Sequence, residues 1–290
     1  MTRIAGVILY FRAGLESLDQ VIDSCLKQTL GFDELMVVDN ASGDGACQAI
    51  LWRFPEIALT TCESNGGYAA GMNLGFKNLS ESPDVCFFIT HEVVMHRNCV
   101  ESLAQRLASG AVLVGPRLRL PNGRIWSEGG TISPFGKPTH ARDATGSLSW
   151  LDGALLGVDA PTFNVLAGFD ERFFLYWEDI DLGYRMSKVG KVECVLDVEA
   201  IQGTMLAPPY LMARGRILMW RLHRKPQLLV ASFVELIGGA LAHLIIRRNR
   251  AALAELLLVI KGCMSGITGS MNIAAATSRP NMALRSSRES

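Results

Sequence analysis

Three features of this sequence point to a doubly wound α/β sheet. Short apolar runs bounded by turn residues recur between residues 4 and 115, as buried parallel strands require. Segments with helical patterning separate them at short intervals, the alternation that builds crossover units. The runs end on polar residues, namely Arg12, Asp39 and Thr90 to Glu92. In such sheets ligands bind beyond the carboxyl ends of the strands, so these residues are the first functional candidates.

Taken in order, residues 4–11 (IAGVILYF) read as a buried strand, followed by a helix from about Ser17 to Gln28. LMVVD (35–39) is the next strand and closes in the turn-rich NASGDG. A helix over 46–53 and a short strand at 57–62 follow, and SNGGYAAG opens a helix reaching Asn78. Then come a strand at 85–90, a helix near 98–108 and a strand at 111–115. Residues 116–150 are rich in Gly, Pro, Ser and Thr and read as hairpins and loops crossing a site. A strand-like LDGALLGVD precedes a loop, and a helix then reaches Lys188. Residues 209–224 and 227–262 read as helical, and no element is assigned between Lys188 and 209.

The chain has 290 residues, 49% apolar and 19% charged, enough for a substantial core and unlike a disordered chain. Basic and acidic residues balance at 28 each, which gives no electrostatic case for nucleic acid as a partner. Seven scattered cysteines form no CxxC pair, so neither a disulfide framework nor a zinc site is expected, and a reducing cytoplasm fits. Met-Thr-Arg runs directly into a strand-like segment, so no signal peptide is expected. Mean hydropathy is +0.22, with the apolar excess late in the chain.

Four stretches carry chemistry. In VVDNASGDG (37–45), Asp39 at a strand end presents an acceptor pair to a ligand, while Asp39 and Asn40 capping the next segment is the bland alternative. In SNGGYAAGMNLGF (64–76), Gly66, Gly67 and Gly71 let backbone approach a ligand, although an ordinary helix start explains the same residues. In FFITHEVVM (87–95), Thr90 and Glu92 share one side of an extended backbone and offer oxygens to a cation, or merely end a strand. FDERFFLYWEDIDLGYR (169–185) surrounds acidic residues with aromatic ones. Asp181 and Arg185 are spaced as a helix pair, and the acids suit a first helical turn. A carboxylate among aromatics is also what a general base needs.

These stretches, in this order, resemble the family 2 glycosyltransferases, and most nearly their bacterial rhamnosyltransferase-like branch. The resemblance covers residues 4–224. It implies a GT-A fold, a Rossmann-like core with a mixed, mostly parallel sheet, followed here by a C-terminal helical extension. It implies donor-nucleotide contacts from Phe11, Arg12, Asp39, Asn40, Asn65, Gly66, Gly71 and Asn73. Glu178 and Asp179 take the place of the catalytic pair, with Asp179 as base in an inverting transfer. Trp150, Asp152, Tyr176 and Trp177 fall in the sugar or acceptor cleft. Mg2+ or Mn2+ would sit at Thr90 and Glu92, although Thr90-His91-Glu92 stands where relatives show Asp-x-Asp or Asn-Pro-Asp. Phe11-Arg12 replaces Tyr-Asn, and Gln202 replaces a histidine, so Arg12 becomes a candidate for meeting diphosphate charge.

The expected activity is a glycosyltransferase of hexosyltransferase type. It would move a sugar from a UDP- or dTDP-sugar, rhamnose leading, to a glycan or lipid-linked saccharide in surface polysaccharide synthesis. The alternative is an inactive relative that binds a nucleotide sugar or glycan. A nucleotidyltransferase leaves the FDERFFLYWED segment unexplained. Domain expectations are a catalytic domain over 1–224, a helical extension over 225–265 and a disordered tail over 266–290. Residues 227–246 are apolar but contain Glu235 and His243, and Arg247, Arg248 and Arg250 follow. A pair of helices lying in a membrane interface is therefore expected ahead of internal packing, a dimer contact or a true span. The implied location is the cytoplasmic face of a membrane, with homo-oligomerisation left open.

Overall fold

The computed structural model describes residues 2–141, 146–203 and 208–271. The chain divides into two compact units, Met1–Pro134 with Pro138–Met205, and Phe135–Lys137 with Leu206–Ser290.

In the first unit, strand β1 (Ile4–Tyr10) is followed by helix α1 (Leu15–Leu26), β2 (Glu34–Asp39), α2 (Ala46–Arg53) and β3 (Ala58–Thr61). Then come α3 (Gly67–Lys77), β4 (Val85–Thr90), β5 (Val93–Met95), α4 (Cys99–Ala108) and β6 (Ala111–Arg119). Short strands β7 (Ile125–Ser127), β8 (Gly130–Ile132) and β9 (Pro138–His140) occupy the hairpin region. The unit ends with β10 (Leu155–Asp159), α5 (Ala160–Val165), α6 (Glu178–Met186) and β11 (Lys191–Gln202).

The main sheet runs β3-β2-β1-β4-β10-β6-β11-β5, with β7 joined to β6. Strands β3, β2, β1 and β4 are parallel, as the alternation predicts. Strand β10 breaks the all-parallel expectation by lying antiparallel to both β4 and β6. It follows the short strands β7, β8 and β9 rather than a crossover helix, so nothing forces it into the parallel direction. The mixed sheet implied by the resemblance is the one observed. Strand β11, parallel to β6 and antiparallel to β5, has no counterpart in the sequence reading.

The alternation along β1 divides the interior into two cores. Ile4, Ile8 and Tyr10 join α1, α2 and α4 on one side, while Val7 and Leu9 join α3, α5 and α6 on the other. Helix α3 lies close to the sheet because a Cβ on Gly71 would come within 2.4 Å of Leu9, and one on Gly75 within 2.4 Å of Val7. Gly71 is thus a packing residue and does not provide the ligand approach the sequence suggested.

In the second unit, α7 (Pro209–Leu222), α8 (Pro226–Arg247) and α9 (Arg250–Thr268) form a three-helix bundle. A Cβ on Gly262 would lie 2.4 Å from the Tyr210 carbonyl, and one on Gly266 2.7 Å from that of Arg214, so glycine sets the α7–α9 approach. Helix α7 therefore belongs with α8 and α9, and the expected boundary at 224/225 moves to about 206. Phe135–Lys137 joins this unit through Trp220 Nε1 donating to the Gly136 carbonyl (2.9 Å) and a Lys137–Glu235 pair at 2.7 Å. Helix α9 also runs past 265 to Thr268, its last carbonyls accepting from Arg221. The remainder of the expected disordered tail, 272–290, lies outside the described residues.

Candidate active site

The carboxyl ends of β1 and β2 meet the start of α3 in a network of backbone and amide groups. Asp39 is 5% exposed and its Oδ1 accepts from Ser42 N at 2.8 Å. Asn40 donates to Asn65 Oδ1 (3.0 Å) and the Gly67 carbonyl (3.1 Å), and accepts from Gly66 N (3.1 Å). Asn65 Oδ1 also accepts from Gly67 N at 2.9 Å. Asp39, Asn40, Asn65 and Gly66 are thus brought together. Asn73 is not among them: its amide bonds Phe169 N, the Phe169 carbonyl and Glu171, anchoring the loop before α6.

Arg12 adopts a left-handed backbone conformation (φ 47°), and its guanidinium lies 5.3 Å from the Phe11 ring centre. Its Nε donates to the Ser42 carbonyl at 3.0 Å. Neighbouring Tyr10 donates to Asp44 at 2.6 Å. Burial, then the Asp44 carboxylate, pushes the Tyr10 phenol up to about 12. Burial works to raise Asp44, but Tyr10, the Ala46 amide and the Arg12 charge hold it below its ordinary value. Neither Tyr10 nor Asp44 was singled out in the sequence, because a tyrosine inside an apolar run carries no distinguishing pattern.

At the end of β4 the backbone turns at His91 and Glu92 instead of continuing extended. The shared face expected for Thr90 and Glu92 is therefore lost. Thr90 is a poor cation ligand here, since its hydroxyl points to the Ala154 carbonyl at 3.4 Å. His91 Nδ1 lies 3.1 Å from the Leu9 carbonyl, which can only accept, so this nitrogen carries the proton. Its Nε2 is 3.6 Å from Glu92. Pairing of β11 with β5 sets Gln202 opposite Val93, and Gly203 N donates to the Glu92 carbonyl at 3.1 Å. Among the described residues no three His, Cys, Asp or Glu side chains are grouped to hold a metal. The donor set offers one carboxylate, that of Glu92. It fits a divalent ion that arrives with a diphosphate and keeps waters, and does not fit a fully protein-built cage.

The FDERFFLYWED loop closes over the other side. Gly67, at φ 84°, lets α3 start against it: a Cβ there would fall 1.9 Å from the Phe174 carbonyl, which accepts from Tyr68 N at 2.7 Å. Tyr176 (φ 66°) and Trp177 (φ 77°) are consecutive left-handed residues, a conformation costing about 1–3 kcal/mol each for non-glycine side chains. This turn delivers Glu178 and Asp179 to the first turn of α6. Arg185 holds the helix in place through the predicted pair with Asp181 (2.7 Å) and bonds to the Leu166 and Gly168 carbonyls.

Asp179 is pinned at both oxygens, Oδ2 accepting from Gly153 N at 3.0 Å and Oδ1 from Ile180 N at 2.8 Å. Burial, then the charge of Asp152, raises it to about 7. Burial, then the adjacent Asp179, lifts Glu178 well above its ordinary value. Asp152 is raised by burial, opposed by bonds from Ala154 N and from Trp126 Nε1 at 2.8 Å. Burial, then Glu178, Glu92, Asp152 and Asp179, raise the Tyr176 phenol to about 12, which brings the cation candidate and the carboxylate cluster around one side chain. Tyr68 completes the cluster by donating to the Gly153 carbonyl at 2.7 Å. Tyr68 and Trp126 are site residues the sequence did not reveal, since their roles depend on contacts with residues 85 and 26 positions away.

Trp150 and Trp177 are 5% and 2% exposed, so neither is the open cleft wall expected. Trp150 lies under the β8–β9 hairpin, its Nε1 3.3 Å from the Thr131 carbonyl, because Gly130 leaves room only for its ring. Trp177 Nε1 and Glu178 Oε2 are buried polar atoms with no hydrogen-bond partner among the described residues. Such atoms are rare in folded proteins and cluster where function requires them.

Residues 6–152 match the family described as "Glycosyl transferase family 2". N-acetylglucosaminyl-diphospho-decaprenol L-rhamnosyltransferase of Mycobacterium tuberculosis is 28% identical over 189 residues, covering 54% of this chain and 61% of that protein. The chain thus spans about three fifths of the length of this curated relative. Among solved structures, residues 1–349 of TarS from S. aureus superpose with TM-score 0.60 at 13% identity, over 92% of this chain and 81% of that one. The mannosyltransferase PcManGT of Pyrobaculum calidifontis, in complex with GDP-Man and Mn2+, superposes with TM-score 0.58 at 15% identity, over 94% and 77%. Topology and likeness agree on the GT-A architecture, and the chain belongs to glycosyl transferase family 2.

Proposed function

We propose that this chain is an inverting glycosyltransferase in which Asp179 is the general base. A single observation carries the reading: Asp179 is fixed by two backbone N–H groups and raised to about 7, where a carboxylate both accepts a proton well and is substantially ionised at neutral pH. Its Oδ atom would take the proton of an acceptor hydroxyl as that oxygen bonds to the anomeric carbon. The bond from that carbon to the diphosphate breaks on the opposite face. Tyr68 holds the Gly153 segment against which Asp179 rests.

Asp39, Asn40 and Asn65 support a donor-nucleotide site at the ends of β1 and β2. A divalent ion, when bound with the donor, would neutralise charge on the departing diphosphate, and Glu92 is the residue that would hold it. The relative's name supports rhamnose as the sugar moved and a lipid-linked saccharide as the acceptor; the proposed donor is a dTDP- or UDP-sugar, used at the cytoplasmic face of a membrane.

The test is a panel of nucleotide sugars offered to wild type and to Asp179→Asn, with a polyprenyl-diphosphate-linked N-acetylglucosamine acceptor. Consumption of one donor by wild type, with binding but little turnover in the variant, is expected. Binding of donors with no turnover by wild type would replace the enzyme reading with that of a sugar-nucleotide-binding relative.

A further inference from the structure

Within the helical unit, α8 and α9 leave many large apolar side chains exposed. Three polar side chains of α8 are paired within the unit, although Glu235 and His243 remain 40% and 43% exposed. Ser232 is fully buried and accepts from Arg216 Nε at 2.9 Å. Glu235 accepts from Arg216 Nη2 at 2.7 Å and pairs with Lys137. His243 lies 2.8 Å from Glu255 of α9. Facing outward instead are Val230, Val234, Leu241 and Ile245, 43–65% exposed and spaced along one helical stripe. Helix α9 adds exposed Leu253, Leu257, Ile260, Met264 and Ile267. A soluble protein rarely leaves so extended an apolar surface open.

Charge then selects what covers it. Arg247, Arg248 and Arg250 are exposed at the turn joining the two helices. Between Pro226 and Ile246 the one acid is the paired Glu235, and on α9 the one acid is Glu255, paired with His243. An apolar face edged by a basic cluster matches a leaflet with anionic headgroups. The depth of insertion is limited by α7, which packs on Gly262 and Gly266 and carries the buried Arg214 and Arg216. Threading α8 and α9 through a bilayer would draw those arginines into hydrocarbon.

We propose that the outward face of α8 and α9 is a monotopic membrane-docking surface. Its apolar side chains enter one leaflet, and Arg247, Arg248 and Arg250 bind anionic headgroups. This holds whichever sugar and acceptor the catalytic unit uses.

The experiment is co-sedimentation of the full chain with sealed vesicles, either phosphatidylcholine alone or equal parts phosphatidylcholine and phosphatidylglycerol. Wild type should bind the anionic vesicles roughly a hundredfold more tightly, from about fivefold per arginine. Arg247→Glu, Arg248→Glu and Arg250→Glu together should remove that preference. Val234→Ser, Leu241→Ser and Ile245→Ser together should abolish binding to both vesicles, with circular dichroism verifying that the exposed substitutions leave the fold intact. Three results would overturn the proposal: no binding of wild type to anionic vesicles, a soluble dimer that the serine variant disperses, or retention in the membrane pellet after alkaline carbonate. The second would assign the face to another copy of the chain, and the third to a true span. None of these readouts depends on turnover, so failure here is separable from failure of the catalytic assignment.

Discussion

Asp179→Asn tests the raised carboxyl through both rate and stability. With Asp179 at about 7, roughly 90% is ionised at pH 8 and about 1% at pH 5, so the wild-type rate should fall about 90-fold between them. The stability effect has a definite sign. The folded value lies above the ordinary 3.8, so the folded protein holds this proton more tightly than the unfolded chain. Ionising Asp179 therefore costs stability, nothing below about pH 4, increasingly from there to about pH 7, and fully above that. The upper bound is on the order of 4 kcal/mol, less after solvent screening of a partly exposed side chain. Asparagine cannot ionise, so it escapes this cost. It does set an amide N–H against the Gly153 or Ile180 N–H, a pH-independent penalty of about 1–3 kcal/mol. The variant should thus gain stability relative to wild type as pH rises from 4 to 7, while losing about 10²–10⁴ in rate. Initial rates of nucleoside diphosphate release and denaturant melts at each pH measure the two effects. A stability difference flat from pH 4 to 8, or a variant keeping the wild-type rate, would rule out Asp179 as a base raised by burial.

Two further substitutions probe the rest of the site. Glu92→Gln should leave donor affinity without metal unchanged and abolish the tightening that Mg2+ brings to wild type, read by calorimetry with and without the ion; equal Mg2+ enhancement in both proteins would remove Glu92 as the holder. Tyr68→Phe leaves the Gly153 carbonyl without its donor and should cost about 1–3 kcal/mol of stability. Because Gly153 N also holds Asp179, it should lower kcat more than it raises KM, and an effect confined to KM would count against this positioning role.

Much of the catalytic unit is legible because local sequence carries it. The parallel strands β1, β2 and β4 are continuous apolar runs, since strands covered on both faces need no polar alternation. The Asp181–Arg185 pair follows from helical spacing alone. Strand β11 is less legible, as its partners β6 and β5 are distant in sequence and its pairing with β6 shifts register between Val195 and Glu199. The resemblance sets Trp150 in the sugar or acceptor cleft, and only the hairpin above it shows that its ring is enclosed.

By itself, the sequence determined the strand–helix alternation, the acidic turn that opens α6, and the apolar helical pair with its arginine cluster. These depend on periodicity and composition, which neighbouring residues express without reference to the rest of the chain. Only the folded arrangement shows that Gly71 serves packing, that Asn73 anchors the loop before α6, that Thr90 turns to a carbonyl, and that α7 belongs to the helical unit. It also decided that Asp179 is poised near neutrality, because its proton affinity depends on burial, on Asp152 and on two backbone amides. Burial and charge proximity are properties of folded space, and distant segments create them only when they meet.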